Sequence, residues 1–167
     1  SATAAGGYTG TMVLESKAGS LCRALGYSEI LTYSFVSPSI FDMIRLPEDS
    51  PLRKTLRIQN PLGEDASIMR TVALLAILSR NNAYHNAAVK LYELAKVYLP
   101  KEGQTLPDEP KHLVLGTYGE NEDFFSLKGE IEAILRGLNV KPAVYTVEKN
   151  HPSYHPGRWA RGTIDGV

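Results

Sequence analysis

His151 and His155 stand four residues apart, the spacing at which two imidazoles on one helix face can hold zinc. Pro152 and Pro156 follow them directly. Proline inside a helix removes a donor and clashes with the preceding turn, so the stretch reads as turns, and no Cys or Glu within it completes a ligand set. A hydrolase built on this pair would need bound metal to support it. Ser34, Ser67 and Cys22 sit in no Gly-x-Ser-x-Gly or cysteine-enzyme surround, which leaves them capping, strand or core roles. Neither Gly-x-Gly-x-x-Gly nor Gly-x-x-x-x-Gly-Lys occurs, so the glycines read as turn punctuation. With 18 Lys plus Arg against 18 Asp plus Glu, the chain has no general attraction for a phosphate backbone. Only a local patch such as Arg53, Lys54 and Arg57 could touch one.

The elements that must position any site follow from periodicity. The 167 residues suffice for one domain that buries roughly 70% of its unfolded surface. The single Cys22 forms no internal disulfide and fits a reducing cytosol. The longest apolar run, Val72 to Leu78, is far short of the ~20 residues that cross a bilayer. Residues 1–7 are small and without period and read as a tag remnant or disordered end, leaving 8–167 as the domain. Leu14, Ala18, Leu21, Cys22 and Leu25 predict a helix over Met12–Leu25, closed by Gly26. Glu29–Val36 reads as a strand, Ser37-Pro38 as the start of a short helix, and Leu56–Gln59 and Ser67–Met69 as short strands flanking the turn Asn60-Pro61-Leu62-Gly63. Thr71 can cap a largely buried helix carrying Val72, Leu75 and Leu78.

Lys90–Leu99 has two mostly apolar faces and reads as a central strand; a proline-bearing loop and a strand at His112–Tyr118 follow. Phe124, Leu127, Ile131, Ile134, Leu135 and Leu138 recur at helical intervals behind Asp123, the expected cap. Ala143–Glu148 and Arg158–Ile164 read as strands, and Asp165-Gly166 is a hairpin signal with no strand after it, so a fragment of a longer polypeptide is expected.

Six stretches lift the reading above a generic α+β domain: Gly26–Phe35, Gln59–Asp65, Ser67–Thr71, Leu91–Tyr98, Asp123–Gly129 and His155–Arg158. In this order they resemble the beta subunit of bacterial phenylalanyl-tRNA synthetase over about residues 12 to 167. The resemblance implies an α+β class II aminoacyl-tRNA synthetase-like fold, an antiparallel sheet flanked by helices, truncated at the C-terminus. It implies a cytoplasmic (αβ)2 enzyme that attaches phenylalanine to tRNA(Phe) with ATP, in which this segment is a non-catalytic scaffold for the catalytic alpha subunit. No cofactor, metal or catalytic residue is expected here, ATP and magnesium being used elsewhere in the full enzyme.

The departures from active relatives agree with that role. Ala73 stands two residues after Thr71, where such enzymes supply a glutamate for the amino acid's ammonium. Leu99 replaces the arginine that would hold the α-phosphate, and Lys101 reverses the charge of the glutamate expected there. A separate departure limits what the resemblance carries over: between Gly119 and Asp123, where relatives usually have a longer loop, only Glu120-Asn121-Glu122 intervene.

The helix and strand of Met12–Phe35 resemble the part of the fold that forms the subunit interface, which makes Leu14, Ala18, Leu21 and Leu25 the expected contact residues unless that stripe is core. Arg70 is expected either to pair with a carboxylate, to cross to the partner, or to bind ATP, the first two being preferred. Asn60, Pro61, His155, Pro156 and Gly157 are expected in structural turns, and Phe124 and Phe125 in packing or at an interface. The competing reading is a free-standing binding or regulatory domain descended from a synthetase.

Overall fold

A computed structural model describes residues 9–73, 86–147 and 160–164. Helix α1 spans Gly10–Ala24, and the Thr9 side chain caps it by accepting from the Met12 N–H at 3.3 Å. Gly26 ends it at φ 87°, a left-handed conformation that glycine adopts without a Cβ penalty. Its Ala18, Gly19 and Cys22 are buried against the sheet.

The expected strand 29–36 is two short ones, β1 (Ser28–Glu29) and β2 (Phe35–Val36). The chain between them leaves the ladder because Thr32 spends its backbone N–H and its hydroxyl on the Glu93 carboxylate, at 3.0 and 2.6 Å. Helix α2 (Ile40–Met43) follows the Ser37-Pro38 turn. Strand β3 (Ile68–Met69) pairs antiparallel with β2, and the expected strand 56–59 reduces to one bridge, Arg57 to Ile68.

β4 (Val89–Lys96) is central, between β1 and β5 (Lys111–Tyr118), as its two apolar faces predict. β4 and β5 pair antiparallel along eight residues each, from Val89 opposite Tyr118 to Lys96 opposite Lys111. β1 runs parallel to β4, so the expected all-antiparallel sheet carries one parallel edge. A parallel pair needs a long crossover, and residues 30–88 supply it. β2 with β3, and β6 (Val144–Val147) with β7 (Ala160–Thr163), form separate two-stranded antiparallel pairs.

Helix α3 (Phe124–Gly137) is where its periodicity puts it, with Asp123 and Ser126 capping reciprocally at 2.7 and 2.9 Å. The short 119–122 connection closes as a turn, Glu122 N–H donating to the Gly119 carbonyl.

Among the described residues two apolar cores result. Cys22, Tyr27, Tyr92 and Ile134 join α1, β4 and α3, with Leu21, Leu25, Leu113, Leu115 and Leu138 around them. Val36, Ile40, Phe41 and Ile68 form the second core, flanked by Leu46 and Val72. The helix expected after Thr71 falls largely on residues 74–85, and the first seven residues and the Asp165-Gly166 turn also lie outside the described residues. No helix among the described residues is long and apolar enough to cross a membrane.

Candidate functional site: an outward strip and its buried anchor

Exposure alternates along residues 30–36, through a bend at Ser34 and into β2. Leu31 and Tyr33 are 87% and 88% exposed and Phe35 is half-exposed, while Thr32 and Ser34 turn inward and Val36 enters the second core. Three large apolar side chains in succession on one face form an unusual strip, since single exposed hydrophobics are ordinary and contiguous ones mark contact surfaces. At the start of α1, Met12, Val13 and Leu14 are also about half-exposed.

The inward side of the strip ends on charge. Arg70 and Glu93 are 3% and 1% exposed, and Arg70 Nη1 lies 3.2 Å from Glu93 Oε1. That one oxygen also accepts both Thr32 donors, and Arg70 Nη1 donates to the Thr32 hydroxyl as well. Arg70 Nε donates to the Lys96 carbonyl at 2.8 Å, its N–H to the Ser34 carbonyl at 2.9 Å, and its own carbonyl accepts from Tyr98 N–H at 2.9 Å. Glu93 Oε2 is buried with no hydrogen-bond partner among the described residues. Two ions are withdrawn from water here, which costs several kcal/mol each and is offset only by this dense set of contacts.

On the opposite face of β4, Lys90 bonds Glu130 and lies 3.3 Å from Glu122. The Tyr27 hydroxyl donates to the other Glu130 oxygen, and the Lys90 ammonium sits 5.5 Å from the Tyr27 ring centre. The bond to Glu130 raises the Lys90 pKa. Burial, followed by the bond to Glu130, pushes the Tyr27 hydroxyl well above its ordinary range. Nearby, the Tyr92 hydroxyl accepts from Arg23 at 2.7 Å beneath Gly19, where an added Cβ would come within 3.1 Å of both side chains.

Of the four residues expected on the interface stripe, Leu14 is 51% exposed and Ala18 is 5% exposed. Leu21 and Leu25 pack against the first core, and Leu21 closes on α3 so tightly that a Cβ on Gly137 would meet its methyls at 2.7 Å. Three of the four therefore face inward within this chain. Asn60 and Pro61 are exposed in the reversal between the Arg57 bridge and β3. His155, Pro156, Gly157 and His151 lie outside the described residues. Phe124 and Phe125 meet edge to face at 5.5 Å, with Phe125 the more exposed.

Of the basic patch, Arg53 is held by Asp42 and the Leu46 and Pro47 carbonyls, and Arg57 lies 3.6 Å from Glu64. Leu99, Pro100 and Lys101 line a cleft of about 520 Å³ with Pro51, Leu52, Lys54 and Glu102, and Lys101 is paired with Asp108 at 2.6 Å. Nothing in that cleft pairs a nucleophile with a base. Among the described residues no cluster of three His, Cys, Asp or Glu could hold a metal ion.

The outward strip and Thr32 were missed as a site by sequence reasoning, although the alternation in Ile30–Val36 and a lone acid inside the apolar strand Leu91–Val97 were both signals.

This architecture is similar to that of a solved aminoacyl-tRNA synthetase. Pyrrolysyl-tRNA synthetase from Desulfitobacterium hafniense superimposes with a TM-score of 0.66 at 17% identity, covering 83% of this chain and 50% of that one, a likeness of fold alone. The chain belongs to the family described as the phenylalanyl tRNA synthetase beta chain CLM domain, whose model matches residues 1–167. It is 43% identical over 152 residues to the phenylalanine–tRNA ligase beta subunit of Clostridium tetani, covering 89% of this chain and 19% of that protein. It is 45% identical over 139 residues to the Clostridium acetobutylicum subunit, covering 81% of this chain and 17% of that protein. The chain thus spans about a fifth of the length of these relatives.

Proposed function

We propose that this chain is a non-catalytic scaffold within the beta subunit of a phenylalanine–tRNA ligase, a cytoplasmic enzyme that attaches phenylalanine to tRNA(Phe) using ATP. It assembles with the catalytic alpha subunit in an (αβ)2 tetramer, and ATP and magnesium are used outside this segment. The observation that carries the reading is the outward strip Leu31, Tyr33 and Phe35, on the segment that resembles the subunit-interface part of the fold. Burying a large apolar side chain contributes roughly 1.5–3 kcal/mol before the cost of association is met, so a strip of this kind favours a contact. Ala73 and Leu99 support the absence of chemistry, since neither can bind an ammonium or a phosphate.

The test is Leu31→Glu in the full-length beta subunit co-expressed with alpha. The expected outcome is a folded beta subunit that no longer co-elutes with alpha and a loss of aminoacylation that follows the loss of tetramer. An intact tetramer would remove the strip from the interface, and a full-length subunit that is monomeric and binds no alpha even without the substitution would favour the free-standing regulatory domain.

A further inference from the structure

An extended segment can slip by one residue, and because side chains alternate, such a slip exchanges its two faces completely. Regular ladders prevent this, but residues 30–34 have few ladder bonds: Ile30 N–H reaches the Tyr92 carbonyl at 2.9 Å, and the Ser34 carbonyl accepts from Arg70. Between those points, among the described residues, Thr32 is held by one carboxylate oxygen and by Arg70 Nη1, which donates to its hydroxyl. Glu93 Oε1 takes the Thr32 N–H and the Thr32 hydroxyl, and the same Arg70 that grips Ser34 closes on it.

We propose that Glu93, acting with Arg70 through Thr32, is a positioning residue that sets which face of the 30–36 segment is presented outward. A buried ion pair gains little net stability over an apolar substitute, and its best-attested use is to fix register. Among the described residues every donor on Glu93 comes from the segment itself or from the residue that grips it, and Oε2 takes none. The inference rests on the assembly reading for the purpose of the presented face, while the lock itself is a property of this chain.

Thiol labelling reads the two faces directly. Tyr33→Cys and Ser34→Cys are made singly in the full-length subunit purified without alpha, and the labelling rate at each position is followed by peptide mass spectrometry. With Glu93 in place the thiol at position 33 should react ~tenfold faster than that at 34, and Glu93→Ala should bring the rates to within about twofold, as the segment exchanges between registers that present either face. Ile134→Ala, which damages the other core, should leave the ratio intact. A ratio unchanged by Glu93→Ala, or equally collapsed by Ile134→Ala, overturns the proposal. Should Glu93→Ala fail to fold, Thr32→Val decides in its place: a collapsed ratio supports the lock and an unchanged one refutes it. Adding alpha separates the two readings, since protection of the thiol at 33 tests assembly without bearing on the lock.

Discussion

Glu93 and Lys90 lie three residues apart on β4 and face opposite sides of it, and each meets an opposite charge at a different depth. The Arg70 and Glu93 side chains are 4% and 2% exposed, whereas Lys90, Glu122 and Glu130 keep 25%, 15% and 17%. Water still reaches the second group and shares its charge, while the first depends wholly on protein donors. The deep pair is therefore brittle and specific, and the shallow one is tolerant.

The comparison is broken most severely by removing half of the deep pair. Arg70→Ala or Glu93→Ala is expected to destabilise the chain by about 3–5 kcal/mol, because the remaining ion is left buried and uncompensated. Chemical denaturation of the full-length subunit measures this, and Arg70→Met combined with Glu93→Leu should recover most of the loss. On the other face Lys90→Met should cost about 1–2 kcal/mol, since Glu122 and Glu130 keep partial hydration. Equal losses on both faces would erase the distinction.

A pH titration sharpens it further. The Tyr27 and Lys90 pKa values are both raised in the folded state above their ordinary values of 10.0 and 10.5. Their stabilisation is thus complete below pH 10 and is lost as the pH climbs through the folded-state values, because the unfolded chain releases those protons first. Thermal melts from pH 8 to 11 should fall steeply above pH 10, and Tyr27→Phe should flatten that fall. The smallest effect lies outside both clusters: Asn139 holds φ 57° just past α3, and Asn139→Gly should raise stability by roughly 0.5 kcal/mol by relieving a left-handed strain.

The contrast between the faces was only partly legible in the sequence. Helices α1 and α3 and strands β4 and β5 follow from periodicity because each buries a continuous stripe or face. The division of Glu29–Val36 did not, since the apolar and β-branched residues there favour a strand and the competing bond comes from Glu93, distant in sequence. The stripe Ala18, Leu21 and Leu25 is equally readable as core or contact from spacing alone, and only the arrival of α3 and β4 against it makes it core. Arg70 carried a signal as a charged residue beside apolar neighbours and Glu93 as a lone acid in an apolar strand, but nothing in the sequence ties the two together.

The parallel edge between β1 and β4 also has a consequence for synthesis. α1 and β1 leave the ribosome before residues 89–96 exist, and a parallel partner separated by so long a crossover closes slowly. Until β4 and α3 emerge, Leu21, Cys22 and Tyr27 have nothing to bury against, and Thr32 has no acceptor. The outward face of residues 30–36 is thus set only after β4 has emerged, which under the assembly proposed above keeps a nascent chain from engaging a partner before its own core has closed.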